Sequence, residues 1–230
     1  MPDNKFNLAI VDPPYGINAP NMAMGTNESR IKNGYPSKST AQKLKKDRLT
    51  QGAGKLKDRF LNNSEIDWDQ IPGEEYFTEL FRVSVNQIIF GGNYFDLPPT
   101  RGVFCWDKRQ PWENFSQWEM AWTSFDSPAA HFSYSVTGGS NKEEKIHPTQ
   151  KPTKVYLELL RRYAKPGDLI LDTHGGSGSI ALACWKEKYQ LVWFEKDSEY
   201  YKAATKRFLN RTESGPLFKE KNAIQLGFED

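Results

Sequence analysis

Leu169-Ile170-Leu171-Asp172-Thr173-His174-Gly175-Gly176-Ser177-Gly178-Ser179, running on into Ile180-Ala181-Leu182-Ala183-Cys184-Trp185, decides the fold. It reads as a buried strand, a glycine-rich turn and an apolar helix, the repeating unit of an α/β sheet. Glycines let a backbone approach a ligand closely and adopt positive φ. The helix N-terminus that follows favours an anionic group, a phosphate or a carboxylate. A second strand, Leu191-Val192-Trp193-Phe194, ends in Glu195. An acidic residue at that position bonds ribose hydroxyls in nucleoside-binding α/β folds. Gly176 and Gly178 do not complete the three-glycine dinucleotide pattern. The stretch therefore suits a nucleoside-type cofactor without a pyrophosphate. The same glycines would also serve as a turn in an α/β domain that binds nothing there.

Working outward, a second motif lies near the other end. Asp12-Pro13-Pro14-Tyr15 closes the apolar run Leu8-Ala9-Ile10-Val11. A carboxylate, a rigid Pro-Pro step and an aromatic ring sit at the exit of a buried strand. Those parts can hold a planar amine: Asp12 accepts one N–H bond, a backbone carbonyl of the pair accepts the other, and Tyr15 offers a face for stacking. Pro fixes φ, so the loop loses little entropy on ordering. By itself the motif is equally a proline-terminated strand end.

Together, and in this order, the motifs resemble those of the amino-methyltransferases that act on the exocyclic amine of adenine or cytosine in DNA with S-adenosylmethionine. The amine motif comes first and the cofactor motif second, as in the circularly permuted β group of that family. Gln87-Ile88-Ile89-Phe90-Gly91-Gly92-Asn93-Tyr94-Phe95 resembles the strand and turn beside the cofactor's adenine. Phe104-Cys105-Trp106-Asp107-Lys108 resembles the next strand, and His147-Pro148-Thr149-Gln150-Lys151-Pro152 the segment before the helix that leads to the cofactor strand. The resemblance covers nearly the whole chain except residues 17–66. It implies a three-layer Rossmann-like methyltransferase fold, with a mixed, mostly parallel sheet and helices on both faces.

Carried over residue by residue, the resemblance implies that Asp12 and the carbonyl of Pro13 hold the target amine. Pro14 stiffens that step and Tyr15 stacks on the base. Asp172, His174, Gly176, Ser177 and Gly178 would form the cofactor turn, and Glu195 would bind the ribose. Thr149 and Lys151 would lie near the methionine carboxylate, and Gly91 and Asn93 beside the adenine. The family usually has Asp-Pro-Phe where this chain has Asp172-Thr173-His174, so an imidazole replaces an aromatic packed beside the cofactor. Asp at the first motif position leans toward adenine, since Ser is commoner in the cytosine enzymes. Double-stranded DNA with a flipped base is the implied partner, and a homodimer is a further option. The implied setting is a bacterial or phage protein of the cytoplasm. A cytosine-N4 enzyme, or a non-catalytic DNA- or nucleoside-binding module, are the alternatives.

Composition fits one α/β domain over residues 1–230, long enough for a substantial core. No apolar run approaches the roughly 20 residues of a membrane span, and no secretory signal pattern opens the chain. The two cysteines, Cys105 and Cys184, lie in apolar surroundings and read as small buried residues. Two cysteines and three histidines show no zinc spacing, so no metal is expected. His131 reads as structural. Helices are expected over 74–83, 155–163 and 199–209. Trp112, Phe115, Trp118 and Trp122 read mostly as core, with Trp112 and Phe115 also placed to wall a base pocket. The tail from Ser214 is either a short final strand or a frayed end.

The net charge of +2 hides an asymmetry. From Arg30 to Arg59 ten basic residues face only Asp47 and Asp58, a net +8, which leaves −6 for the rest. Glycines and prolines punctuate this stretch, and large apolar residues are few. It reads as a basic loop, part of an insertion at 17–66. Lys43, Lys45, Lys46, Arg48 and Lys55 are its candidate phosphate contacts; a solvated surface loop is the plainer reading. Between Thr123 and His147 there is room for a strand and a loop, but not for a separate target-recognition domain.

Overall fold

The computed structural model describes residues 1–17, 69–110, 116–135, 143, 146–147, 149–212 and 225–226. The basic insertion and its five candidate contacts, and also Trp112, Phe115 and Pro148, lie outside the described residues.

Eight strands form one sheet: β1 (Phe6–Val11), β2 (Ser84–Phe90), β3 (Val103–Asp107), β4 (Trp118–Thr123), β5 (Ala130–Ser133), β6 (Leu169–Asp172), β7 (Gln190–Trp193) and β8 (Gln225–Leu226). Their order is β5-β3-β4-β2-β1-β6-β7-β8. Only β4 runs antiparallel to its neighbours β2 and β3; the other pairs are parallel. The helices are α1 (Glu74–Val83), α2 (Thr153–Tyr163), α3 (Ser179–Glu187) and α4 (Ser198–Thr212). The expected helices are all present: α1 matches to the residue, and α2 and α4 extend two to four residues beyond the periodic pattern.

β1 is central, and five of its six residues are buried. That is why it reads as a continuous apolar run rather than an alternating one. Side chains alternate between two cores. Leu8, Ile10, Ile88, Phe90, Ile170, Leu191 and Trp193 pack with α2, α3 and α4 on one face. Phe6, Ala9, Val11, Ile89 and Leu171 pack with Phe77, Leu80 and Val83 of α1 on the other. The result is the expected three layers. α3 is buried along Ser179–Cys184, so it lacks a polar stripe.

From β1 the chain crosses by α1 to β2 on one side. From β6, on the other side of β1, it crosses by α3 to β7. Strand order thus diverges at the β1–β6 pair, and open α/β sheets bind ligands at the carboxyl ends beside such a point. Asp12-Pro13-Pro14-Tyr15 leaves β1 there, and Thr173 to Gly178 leaves β6.

Two expectations need correction. Trp118 is 53% exposed, because at the start of β4 its neighbour Glu119, not the indole, turns inward. Cys105 is half-buried rather than buried, since β3 lies near the sheet's edge. His131, on edge strand β5, has a 63% exposed side chain at 4.0 Å from Asp107.

Candidate active site

Asp12 is the first residue past β1, and its carboxylate has two partners. Oδ1 accepts the Tyr15 hydroxyl at 2.6 Å, and Oδ2 accepts the Lys151 ammonium at 2.5 Å. Lys151 also donates to the Tyr15 hydroxyl oxygen at 3.2 Å and lies 3.1 Å from Oε2 of Glu119. Lys108, just after β3, pairs with the other oxygen of Glu119. Four alternating charges thus run in series, Asp12, Lys151, Glu119 and Lys108. The Lys151 side chain is only 4% exposed, with its ammonium 4.6 Å from the centre of the Phe90 ring. Burial opposes that ammonium, but Asp12 and Glu119 outweigh burial and hold it above the ordinary lysine value. Burial likewise works against the Glu119 carboxylate, yet Lys151 and Lys108 hold it below the usual range.

Tyr15 packs against the neighbouring strand end. Its ring stacks on Tyr94 at 5.0 Å and meets Phe95 edge-on. Beneath it lies Gly91, at φ +69°, where an added Cβ would fall 2.3 Å from the tyrosine ring. Gly91 is therefore buried under Tyr15, while Asn93, two residues on, is exposed.

The glycine-rich turn is built from opposite requirements at adjacent positions. A Cβ at Gly175 would lie 1.5 Å from the indole nitrogen of Trp193, so the turn presses onto β7 there. At Gly176 such a Cβ would make only ordinary van der Waals contacts, with the His174 carbonyl at 3.8 Å and the His147 ring at 4.0 Å. Gly178, at φ +69°, caps α3. Glu195 ties the turn to β7: Oε2 accepts the Gly176 N–H at 2.7 Å, and Oε1 accepts the Asp197 N–H at 2.8 Å. The Lys196 N–H also bonds this carboxylate, which leaves one of its roughly four acceptor sites for a hydroxyl. Its pKa is raised, burial being the main cause.

Asp172 is fully enclosed and accepts the His174 N–H at 2.9 Å. Burial pushes its carboxyl up to about 8. Burial pushes the His174 imidazole down to about 4. Nδ1 of His174 lies 3.0 Å from the Thr173 hydroxyl and 3.4 Å from that of Tyr76 on α1, whose ring meets it edge-on. Thr149 is exposed, with its hydroxyl 3.1 Å from Nδ1 of His147. The imidazole of His147, also pushed by burial to about 4, packs on Tyr200 and reaches to within 4.0 Å of where a Gly176 Cβ would sit.

The turn is braced from behind. Arg207 of α4 donates to the carbonyl of Ser177 at 2.7 Å and pairs with Glu143 at 2.5 Å. Glu143 accepts the backbone and hydroxyl of Thr153 at the start of α2. The Ser179 hydroxyl lies 3.1 Å from that of buried Ser177 and donates to the carbonyl of Lys151 at 2.8 Å.

The structure thus brings Asp12, Tyr15 and Gly91 together at the exits of β1 and β2, and His174, Gly176, Ser177, Gly178 and Glu195 together at the exits of β6 and β7. Lys151, expected from the resemblance near a cofactor carboxylate, is engaged by Asp12 and Glu119. Glu119, Lys108, Tyr76, His147, Glu143 and Arg207 were not among the expected site residues. His147 and Lys108 carried a signal, as the head and the end of two segments already singled out. Among the described residues no group of three or more His, Cys, Asp or Glu is placed to hold a metal.

Comparison with known proteins agrees with this architecture. Residues 105–206 match a family model described as DNA methylase, a span that runs from β3 into α4. Type II methyltransferase M.HpaI of Haemophilus parainfluenzae is 30% identical over 81 residues, 35% of this chain and 26% of that protein. Type II methyltransferase M.PvuII of Proteus hauseri is 35% identical over 66 residues, 29% of this chain and 20% of that protein. The aligned stretches therefore span well under half of either relative. The solved PvuII DNA methyltransferase, described as cytosine-N4-specific, superposes over 92% of this chain and 82% of its own, with TM-score 0.51 and 17% identity. At that identity the likeness speaks for the fold. Sheet order and this superposition define a Rossmann-like α/β fold. Over residues 105–206 the chain is similar to the DNA methylases that this family model describes.

Proposed function

We propose that this protein transfers a methyl group from S-adenosylmethionine to the exocyclic N6 amine of adenine in DNA, with the base flipped out of the duplex. One observation carries the reading. The amine acceptor Asp12 and the glycine turn leave two hydrogen-bonded strands, paired Leu8 to Ile170 and Ala9 to Leu171, at the same end of the sheet. A planar amine and a nucleoside cofactor would meet there.

The uncrowded position of Gly176 and the remaining acceptor capacity of Glu195 fit a ribose-bearing group. Glu195, Gly176, Ser177 and Gly178 would hold it, with Asp172 and His174 at the turn. When bound, S-adenosylmethionine supplies an activated methyl on a sulfonium, so the protein need only supply geometry. An exocyclic amine is a poor nucleophile because its lone pair is delocalised into the ring. Asp12 accepts one N–H and the Pro13 carbonyl the other, which favours a pyramidal nitrogen with a localised lone pair. Asp12 has room for this, since each of its oxygens uses only one acceptor site on Tyr15 or Lys151. Alignment of nitrogen with the methyl is the main contribution. Pro14 limits loop motion, and stacking of the base on Tyr15 would repay part of the unstacking cost. The basic insertion supplies phosphate contacts at Lys43, Lys45, Lys46, Arg48 and Lys55.

A cytosine-N4 activity is the second reading, motivated by the fold likeness to a cytosine-N4-specific enzyme. Incubation with methyl-labelled cofactor and genomic DNA, then digestion and nucleoside mass spectrometry, separates them. N6-methyladenine is expected. N4-methylcytosine alone would overturn the base assignment, and no methylated nucleoside would overturn the reading.

A further inference from the structure

We propose that Lys151 and Glu119 are positioning residues that together aim Asp12: a buried ammonium shared between two carboxylates, held back from full capture of Asp12 by its second partner. The inference rests on the proposed amine chemistry.

The geometry is specific. Lys151 comes from the segment before α2, Glu119 from β4 and Asp12 from the exit of β1, and they meet within 2.5 to 3.1 Å. A carboxylate that must accept an N–H from substrate needs a fixed direction and spare lone pairs. The Lys151 bond fixes Oδ2 and the Tyr15 bond fixes Oδ1. Without Glu119, the whole charge of Lys151 would fall on Asp12, and the carboxylate would be drawn inward. With Glu119 the ammonium is divided, and Lys108 in turn balances Glu119. Lys108 and Glu119 are 18% and 19% exposed, whereas Lys151 is 4% exposed, so the chain runs from the rim to the buried ammonium. Other titratable groups in electrostatic reach are Tyr15, Tyr76 of α1, Tyr156 of α2, Asp172 at the end of β6, and His147. Protons entering such a cluster belong to it as a unit.

Two readouts test this, one independent of catalysis. The first is a pH titration of the Glu119 side-chain carboxyl carbon by NMR. Lys151→Met should raise the Glu119 midpoint, because an ammonium partner is lost. Asp12→Asn should lower it, because the shared ammonium then serves Glu119 alone. No response to Asp12→Asn would overturn the sharing. The second is the kinetics of methyl transfer to DNA beside the calorimetric Kd for S-adenosylhomocysteine. Glu119→Gln should lower kcat roughly ten- to a hundredfold through misalignment, with Kd within about threefold of wild type, and should move the acidic limb of the rate profile to lower pH. Lys151→Met should move that limb to higher pH, and Lys151→Arg should restore it. Limbs that coincide with wild type in both variants would overturn the proposal. So would a Lys151→Met variant with an unmoved limb and cofactor binding weakened tenfold or more, which would place the lysine on the cofactor's carboxylate. Inactivity of the wild-type protein on DNA would overturn the proposed function instead, and the NMR titration would still decide the sharing.

Discussion

His174 shows what one side chain contributes beyond its place in a motif. It stands where the resemblance has an aromatic ring, and it behaves as one. Burial holds the imidazole neutral down to about pH 4, against an ordinary value of 6.5. A histidine depressed in the folded state contributes stability that is present above about pH 6.5 and lost as pH falls through 4. The loss from one such group is on the order of 3 kcal/mol. His147 adds a second loss of the same sign. Asp172 has the opposite sign: raised to about 8, its contribution is present below its unfolded value near 3.8 and lost as pH rises through 8. His174→Phe should remove one of the two histidine losses and leave the Asp172 slope unchanged. Thermal melts from pH 7 to pH 4 should show the variant losing clearly less stability than wild type. Parallel curves would mean that the imidazole is not held neutral by the fold. The motif made this position visible as a departure; Tyr76, 98 residues away, was not visible as its partner.

At the level of strands, turns and helices, the glycine-rich turn is the most constrained element. Gly175 has no room for a methyl against Trp193, whose side chain is 2% exposed and cannot swing away. Gly175→Ala should cost roughly 1–3 kcal/mol, the range for overpacking a filled core, and should weaken cofactor binding as the turn lifts from β7. Gly167→Ala is the control. It also has a positive φ, +90°, so it pays a backbone cost, but nothing lies within 4 Å of its Cβ and it is remote from the turn. Denaturant melts and calorimetry on both variants give the comparison. Cofactor affinity reduced equally in the two would show that the Trp193 contact is not what seats the turn. The β6–turn–α3 unit was legible because every part of it is local: an apolar run, three glycines, another apolar run. β1, β2 and β7 were legible for the same reason, as buried parallel strands. The antiparallel placement of β4 between β2 and β3 was not, because register and direction are decided by partners far along the chain. The inward turn of Glu119 and the exposure of Trp118 follow from that register.

For the molecule as a unit, the pairing of β1 with β6 puts the exits of the Asp12 motif and of the glycine-rich turn at one end of one sheet. What stayed hidden is the set of long-range polar contacts around these strand ends. Lys151 to Asp12 spans 139 residues, and Arg207 to Glu143 spans 64. A charged residue has no periodicity that marks it as buried, and its partner is known only once the chain is folded. Those contacts join β1, β4, α2 and α4 around the carboxyl ends of β1 and β6, where the amine and the cofactor are proposed to meet. A groove of about 250 Å³ on the opposite face, between α1 and the ends of β6 and β7, is the competing location; Tyr76, Leu171, Thr173 and Phe194 line it. A crystal structure with S-adenosylhomocysteine bound decides between the two. The account expects the ribose hydroxyls on Glu195, the turn from Gly176 to Gly178 against the ligand, and the sulfur facing Asp12. Ligand seated in the α1 groove, with Glu195 still bonded only to Gly176, Lys196 and Asp197, would contradict it.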